Sequence, residues 1–146
     1  MKTKHTYRLF SGLFFSVWLL TGCAKENELV VDRVVSPVLV TVSGTSFTKT
    51  ESVKVKVGVY ELDKSGLLNH TVGIDSIPVA NLTIKLTANG RLMGDLTTDT
   101  QGKINLVKTW EDFGLVSPAT GNVVNLEWSG THKGQAFTKL SRVQVK

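Results

Sequence analysis

A single cysteine, Cys23, stands among the 146 residues. No intramolecular disulfide can form, and no CxxC pair exists for metal or redox chemistry. Histidine is nearly as scarce. His70 and His132 are the only two after Cys23; both fall in predicted loops without a metal-ligand partner at suitable spacing, and they read as surface histidines. No serine sits in a G-x-S-x-G elbow, and Gly58, Gly66 and Gly73 stand apart rather than in a phosphate-binding loop. Glu111-Asp112 is the only adjacent acidic pair, and adjacency does not converge two carboxylates on a cleft. Catalytic, cofactor and metal sites are therefore all assigned as none, and the chain reads as a non-enzyme. The longest apolar-rich stretch, Leu9 to Leu20, is twelve residues, against about 20 for a membrane-spanning helix.

That stretch has a different meaning. Lys2, Lys4 and Arg8 precede it, Thr21-Gly22-Cys23 follow it, and the composition then turns polar with Ala24-Lys25-Glu26-Asn27-Glu28. A basic start, a short apolar segment and small residues at the cut are the layout of a secretory signal. Three of the 17 basic residues and none of the 12 acidic ones precede Cys23, leaving 14 against 12 and a net charge of +2. With both signs interspersed, that balance gives no electrostatic case for nucleic-acid binding. The 124 residues from Cys23 onward are one domain of ordinary size.

Leu20-Thr21-Gly22-Cys23 resembles the lipobox of bacterial lipoproteins. The resemblance implies a diacylglyceryl group on the Cys23 sulfur, cleavage after Gly22 and acylation of the new amine. One acyl chain holds a protein marginally, while two or three give lasting attachment. The partner implied is thus a membrane, through the lipid anchor. Ala24 and Lys25 replace the Asp that resembles an inner-membrane retention signal, which favours the outer membrane. Lys25-Glu26-Asn27-Glu28 is similar to the acidic export signal of surface lipoproteins in the Bacteroidetes, and equally to a solvated tether. Surface exposure is the reading taken, with the periplasmic face as its alternative.

The mature chain reads as all-β. Residues 23–36 form the tether, and residues 37–146 the domain. Val38, Val40 and Val42 alternate with Leu39, Thr41 and Ser43, an edge strand beginning near Pro37. Ser46 to Thr50 is polar apart from Phe47. In Ser52 to Leu62, Val53, Val55, Val57 and Val59 share one face while Lys54, Lys56, Gly58 and Tyr60 share the other; a helix would scatter the valines, a strand stacks them. Leu67 to Ser76 is a loop, with or without an irregular edge strand. Ile77 to Ala88 points Leu82, Ile84 and Leu86 inward, Asn89-Gly90 makes a tight turn, and Arg91 to Thr98 returns with Leu92 and Leu96 on one face. Asp99 to Gly102 is a turn, and Ile104 and Leu106 lead the next strand inward. Ser117 to Asn122 connects to Val124, Leu126 and Trp128, which alternate toward a core. Gly130 to Gly134 reads as a hairpin, and Gln135 to Lys146 closes the fold with a bulge expected near Lys139, because Leu140 breaks the parity of Phe137, Val143 and Val145. About seven strands with no long helical period predict a single antiparallel β-sandwich.

The run Ile77-Pro78-Val79 to Leu86, with Thr97-Thr98-Asp99-Thr100-Gln101-Gly102-Lys103-Ile104, resembles the pattern shared by bacterial immunoglobulin-like domains of the invasin type and by carboxypeptidase-regulatory, transthyretin-like domains. Trp128-Ser129-Gly130 to Val145 is similar to their last hairpin. The resemblance covers most of residues 50–146 and implies an immunoglobulin-like sandwich, used for adhesion, spacing and ligand binding alike.

Candidate contact residues are few. Trp110 and Phe113, spaced i, i+3 in the irregular segment Trp110 to Val116, offer a sugar- or protein-binding patch, or else a lid over an open end of the sandwich. Tyr60 shares the lysine face of its strand and is a third candidate. Asp63, Asp75, Asp95 and Asp99 supply calcium-type oxygens but match no EF-hand, and read as Asx-type turn formers. Asp75-Ser76-Ile77 resembles the O-glycosylation sequon of exported Bacteroidetes proteins, with Ser76 as acceptor. The expected function is that of a small envelope lipoprotein, an immunoglobulin-like module that binds a protein or glycan partner or spaces one from the membrane. The alternative is an envelope inhibitor or carbohydrate-binding accessory protein acting through Trp110 and Phe113.

Overall fold

The computed structural model describes residues 35–69, 71 and 73–146. The signal, Cys23, most of the tether and His70 lie outside them. Nine strands are present among the described residues: β1 (Leu39–Ser43), β2 (Ser46–Phe47), β3 (Val53–Asp63), β4 (Asp75–Pro78), β5 (Thr83–Ala88), β6 (Arg91–Thr97), β7 (Lys103–Lys108), β8 (Val123–His132) and β9 (Gln135–Val145). Seven answer to the strands read from alternation. The other two, β2 and β4, are only two and four residues long.

β3 is the spine of the first sheet. Val57 stands opposite both Val42 of β1 and Ile104 of β7, so those strands flank it on opposite edges. Tyr60 likewise stands opposite both Leu39 and Pro78, which places β4 on β7's side, beyond its end. The second sheet has the order β2-β9-β8-β5-β6. All pairs are antiparallel except β2 with β9. The first strand thus begins in one sheet, swings past Gly44 and ends parallel to the last strand in the other. The four strands of the first sheet and the five of the second make an all-β, sandwich-type fold.

The inward rows close on one another between the sheets. Val53, Val55, Val57 and Val59 of β3 are at most 1% exposed and meet Ile84, Leu86, Val124, Leu126, Trp128, Val143 and Val145, none above 1%. Each such side chain contributes about 1.5–3 kcal/mol relative to exposure. Trp128 donates its indole N–H to Ser141 Oγ at 2.8 Å, so its one polar atom is satisfied.

Four local readings change. Ile77 to Ala88 is not one strand: Ile77 and Pro78 end β4 in the first sheet, and the chain crosses to β5 in the second through Asn81, whose φ of 56° an asparagine tolerates. Leu92 and Leu96 do not share a face, because the β5–β6 register slips: Leu86 opposes Gly94 while Thr87 opposes Leu92. Met93 is the extra residue of that bulge and packs on the core, leaving Leu92 58% exposed. β8 runs on through Gly130 to His132, and the hairpin is only Lys133-Gly134, with φ of 50° and 79°. Gly130 is a strand residue over which the Phe137 ring lies, its Cζ 2.8 Å from where a Cβ would stand. Finally, the β8–β9 register is continuous from His132↔Gln135 to Val123↔Gln144, with no bulge at Lys139. Leu140 simply faces out, 70% exposed.

Candidate ligand-binding face

The segment containing Trp110 and Phe113 is a compact turn. Asp112 Oδ2 accepts the Thr109 N–H at 2.8 Å and Thr109 Oγ1 accepts the Asp112 N–H at 3.2 Å, a reciprocal cap that starts one helical turn. The Thr109 amide holds the Asp112 carboxyl below its ordinary range. Phe113 and Leu115 then donate to the Trp110 carbonyl. This places Trp110 and Phe113 in the core, 4% and 6% exposed. The Trp110 indole N–H reaches Thr48 O at 3.0 Å, tying the segment to the turn after β2. Glu51 accepts both the Thr48 N–H and its hydroxyl, and these hold its carboxyl below the ordinary range. The ligand patch assigned to these two rings is thereby corrected. They form the lid over one end of the sandwich and have almost no surface left to offer.

Tyr60 is placed differently. It lies on the outer face of the first sheet, and register builds its surroundings. Thr41, Gly58 and Lys103 form one cross-strand row, and Ser43, Lys56 and Asn105 the next. The Tyr60 ring folds across Gly58: a Cβ there would meet Tyr60 Cε2 at 2.7 Å and the phenol oxygen at 2.8 Å. Gly58 is thus the space into which the ring lies down on the sheet. A shallow groove of about 460 Å³ is set here, bounded by Thr41, Lys56, Tyr60, Gln101, Lys103 and Asn105. Lys103 Nζ donates to Gln101 Oε1 at 3.0 Å. Among the described residues Lys54 and Lys56 make no ion pair, the two pairs present being Glu61 with His132 and with Lys133. A half-exposed phenol ring among amides, hydroxyls and ammonium groups can stack on a sugar and bind its hydroxyls or an anionic substituent.

A larger hollow of about 610 Å³ lies on the second sheet, around Thr83, Lys85, Asp95, Ser129, Thr131 and Thr138. It has no tyrosine or tryptophan, and Lys85 stands directly opposite Asp95 in register, so its charges offset. The groove at Tyr60 is the better site on chemistry despite its smaller volume.

The remaining candidates resolve individually. Asp63 Oδ1 accepts the Ser65 N–H, which lowers its carboxyl, and Asp99 Oδ1 accepts those of Gln101 and Lys103. Both are turn formers. Asp75 Oδ1 accepts the Ser76 N–H. Ser76 is exposed on β4 rather than in a loop. His132 is not a loop histidine but the last residue of β8, where it and Lys133 hold Glu61, keeping that carboxyl below its ordinary range. Among the described residues no three His, Cys, Asp or Glu side chains cluster as metal ligands. Sequence reasoning missed the groove's Gln101, Lys103 and Asn105; the one available signal was the parity of Lys103 and Asn105 opposite Ile104 and Leu106.

The Pro78-Val79 and Thr97-to-Gly102 stretches meet in a clamp. Thr98 Oγ1 donates to Val79 O at 2.7 Å and accepts the Leu82 N–H at 2.8 Å. Gly102, at φ 70°, sits where a Cβ would be 2.5 Å from Val59 O and 2.9 Å from Val79 N. Thr98 and Gly102 thereby hold the crossover between sheets. No family model matches the chain, and no curated protein matches it.

Proposed function

We propose that the protein is a small non-enzymatic lipoprotein of the bacterial envelope, anchored at Cys23 in the outer membrane and displayed on the cell surface, whose immunoglobulin-like sandwich binds a partner. The lipobox-like Leu20-Thr21-Gly22-Cys23 supports the anchor. Tyr60 laid across Gly58 between Lys56 and Lys103 supports the binding role and carries this reading. The glycan-binding form of the function fits this face better than the Trp110–Phe113 segment, because those two rings are buried. Ser76, exposed on β4, stands as the candidate O-glycosylation acceptor.

The binding test is a glycan array probed with wild type, Tyr60→Ala and Lys56→Ala. Loss of acidic-glycan signal in both variants, with unfolding curves unchanged, supports the face. Equal signal in wild type and Tyr60→Ala sinks it. Protease shaving of intact cells tests the location: released peptides of the domain place it outside, and protection lost on lysis places it in the periplasm.

A further inference from the structure

Exposed apolar residues gather at one end of the sandwich. Leu67 and Leu68, in the loop between β3 and β4, are 57% and 100% exposed, and Ile74 and Ile77 are both 48% exposed. Ile77 stands opposite Glu61 near the end of β3. The β8–β9 hairpin is at this end too, because His132 and Lys133 reach Glu61. Val35, itself 68% exposed, joins them through its carbonyl, which accepts from Gln135 Nε2 at 2.9 Å. The chain therefore enters the domain at the end that carries these leucines and isoleucines.

We propose that this loop is a second membrane contact, with Leu67 and Leu68 inserting into the lipid interface beside the anchor. The inference rests on lipidation of Cys23. Eleven residues lie between Cys23 and Val35, and even fully extended a chain of that length reaches only about 40 Å. So short a tether keeps this end at an effective concentration on the order of millimolar relative to the bilayer, where even a weak intrinsic membrane affinity is engaged. The loop is built for it. Part of its backbone is already paired within turns, Leu67 N–H to Lys64 O, Asn69 N–H to Gly66 O and Gly73 N–H to Asn69 O, which lowers the cost of approaching lipid. Those turns hold Leu68 outward instead of against the core. Lys64 at the loop's start is an exposed cation for lipid phosphates. Ser76 lies on β4 rather than at the tip, so a glycan there is compatible with insertion of the two leucines.

The test uses the mature lipidated protein in vesicles of phosphatidylethanolamine with a minority of phosphatidylglycerol. With Cys23 acylated, Leu68→Cys creates the one free thiol, which takes an environment-sensitive fluorophore; Thr120→Cys, in the connector at the opposite end, is the reference. The expected result is a blue-shifted label at position 68 that brominated lipid quenches, and an unshifted, unquenched label at position 120. Equal hydration at both positions overturns the inference, as does a shift at position 68 that needs an added envelope protein. Leu67→Asp with a label at position 74 should abolish any shift there while the unfolding curve stays that of wild type. Mass spectrometry of Cys23 separates the two claims: an unlipidated cysteine sinks the lipoprotein reading, whereas a lipidated chain with a hydrated position 68 sinks only the membrane-contacting loop.

Discussion

Replacing Thr98 with valine tests the clamp that fixes the crossover between sheets. Thr98 is the one buried polar residue among the described residues, 2% exposed. Its hydroxyl serves two backbone groups, donating to Val79 O at 2.7 Å and accepting from Leu82 N–H at 2.8 Å. Valine keeps the branched shape and removes the oxygen, leaving both groups without this partner. Each unsatisfied group costs about 1–3 kcal/mol, the amide more dependably than the carbonyl, so the pair should cost about 2–4 kcal/mol. Thr98→Ser keeps the oxygen and loses a methyl, which should cost about 1 kcal/mol. For a domain of this size each kcal/mol lowers Tm by roughly 4 °C, and urea unfolding should show a lower midpoint at constant m. The order valine worse than serine is the point. A serine variant less stable than the valine one, or a valine variant within about 0.5 kcal/mol of wild type, would refute the hydroxyl's role and leave only packing.

Three further outcomes are expected. Gly102→Ala adds a Cβ at φ 70° against Val59 O and Val79 N; a left-handed residue costs about 1–2 kcal/mol and the clash about 1–3 more, read by the same urea curves. Glu61, lowered by its hydrogen bonds to Lys133 and His132, binds its proton more weakly folded than unfolded. Its contribution is present above the ordinary carboxylate range and lost as pH falls through the lowered one, so Glu61→Gln should flatten the acid limb of a stability–pH curve, and an unchanged limb would count against the contact. Lys139→Val should promote self-association in light scattering. Lys139 shares the inward parity of Phe137 and Val143 on a strand whose outer edge pairs only at Gln144 and Val145, and an inward charge at such an edge blocks added strands.

The legible part of the fold was the part set by alternation. Val53 to Val59 can bury four side chains together only as a strand, and Val124, Leu126 and Trp128 follow the same rule. Asn89-Gly90 was legible because its backbone angles favour those two residue types. Lys133-Gly134 was not, since a lysine at positive φ carries no signal and the register of β8 against β9 imposes it. The bulge at Met93 and the straight run past Lys139 were both misplaced for one reason. Parity along a single strand does not say which of two facing strands holds an extra residue, nor whether an exposed leucine is a fault or an outward side chain.

The candidate site divides in the same way. Tyr60 was placed on the lysine face by its own strand, so its exposure followed from periodicity. Trp110 and Phe113 lie in a turn with no period, and their burial depends on Thr48, 62 residues away in sequence, receiving the indole N–H. Alternation and turn chemistry along the chain determined the all-β class, the inward rows and most turns, because those are properties of neighbouring residues. The partners across the sheets, the passage of β4 to β5, the lid at Trp110 and the groove at Tyr60 were decided only in the folded chain, where closing the two sheets brings distant residues into contact.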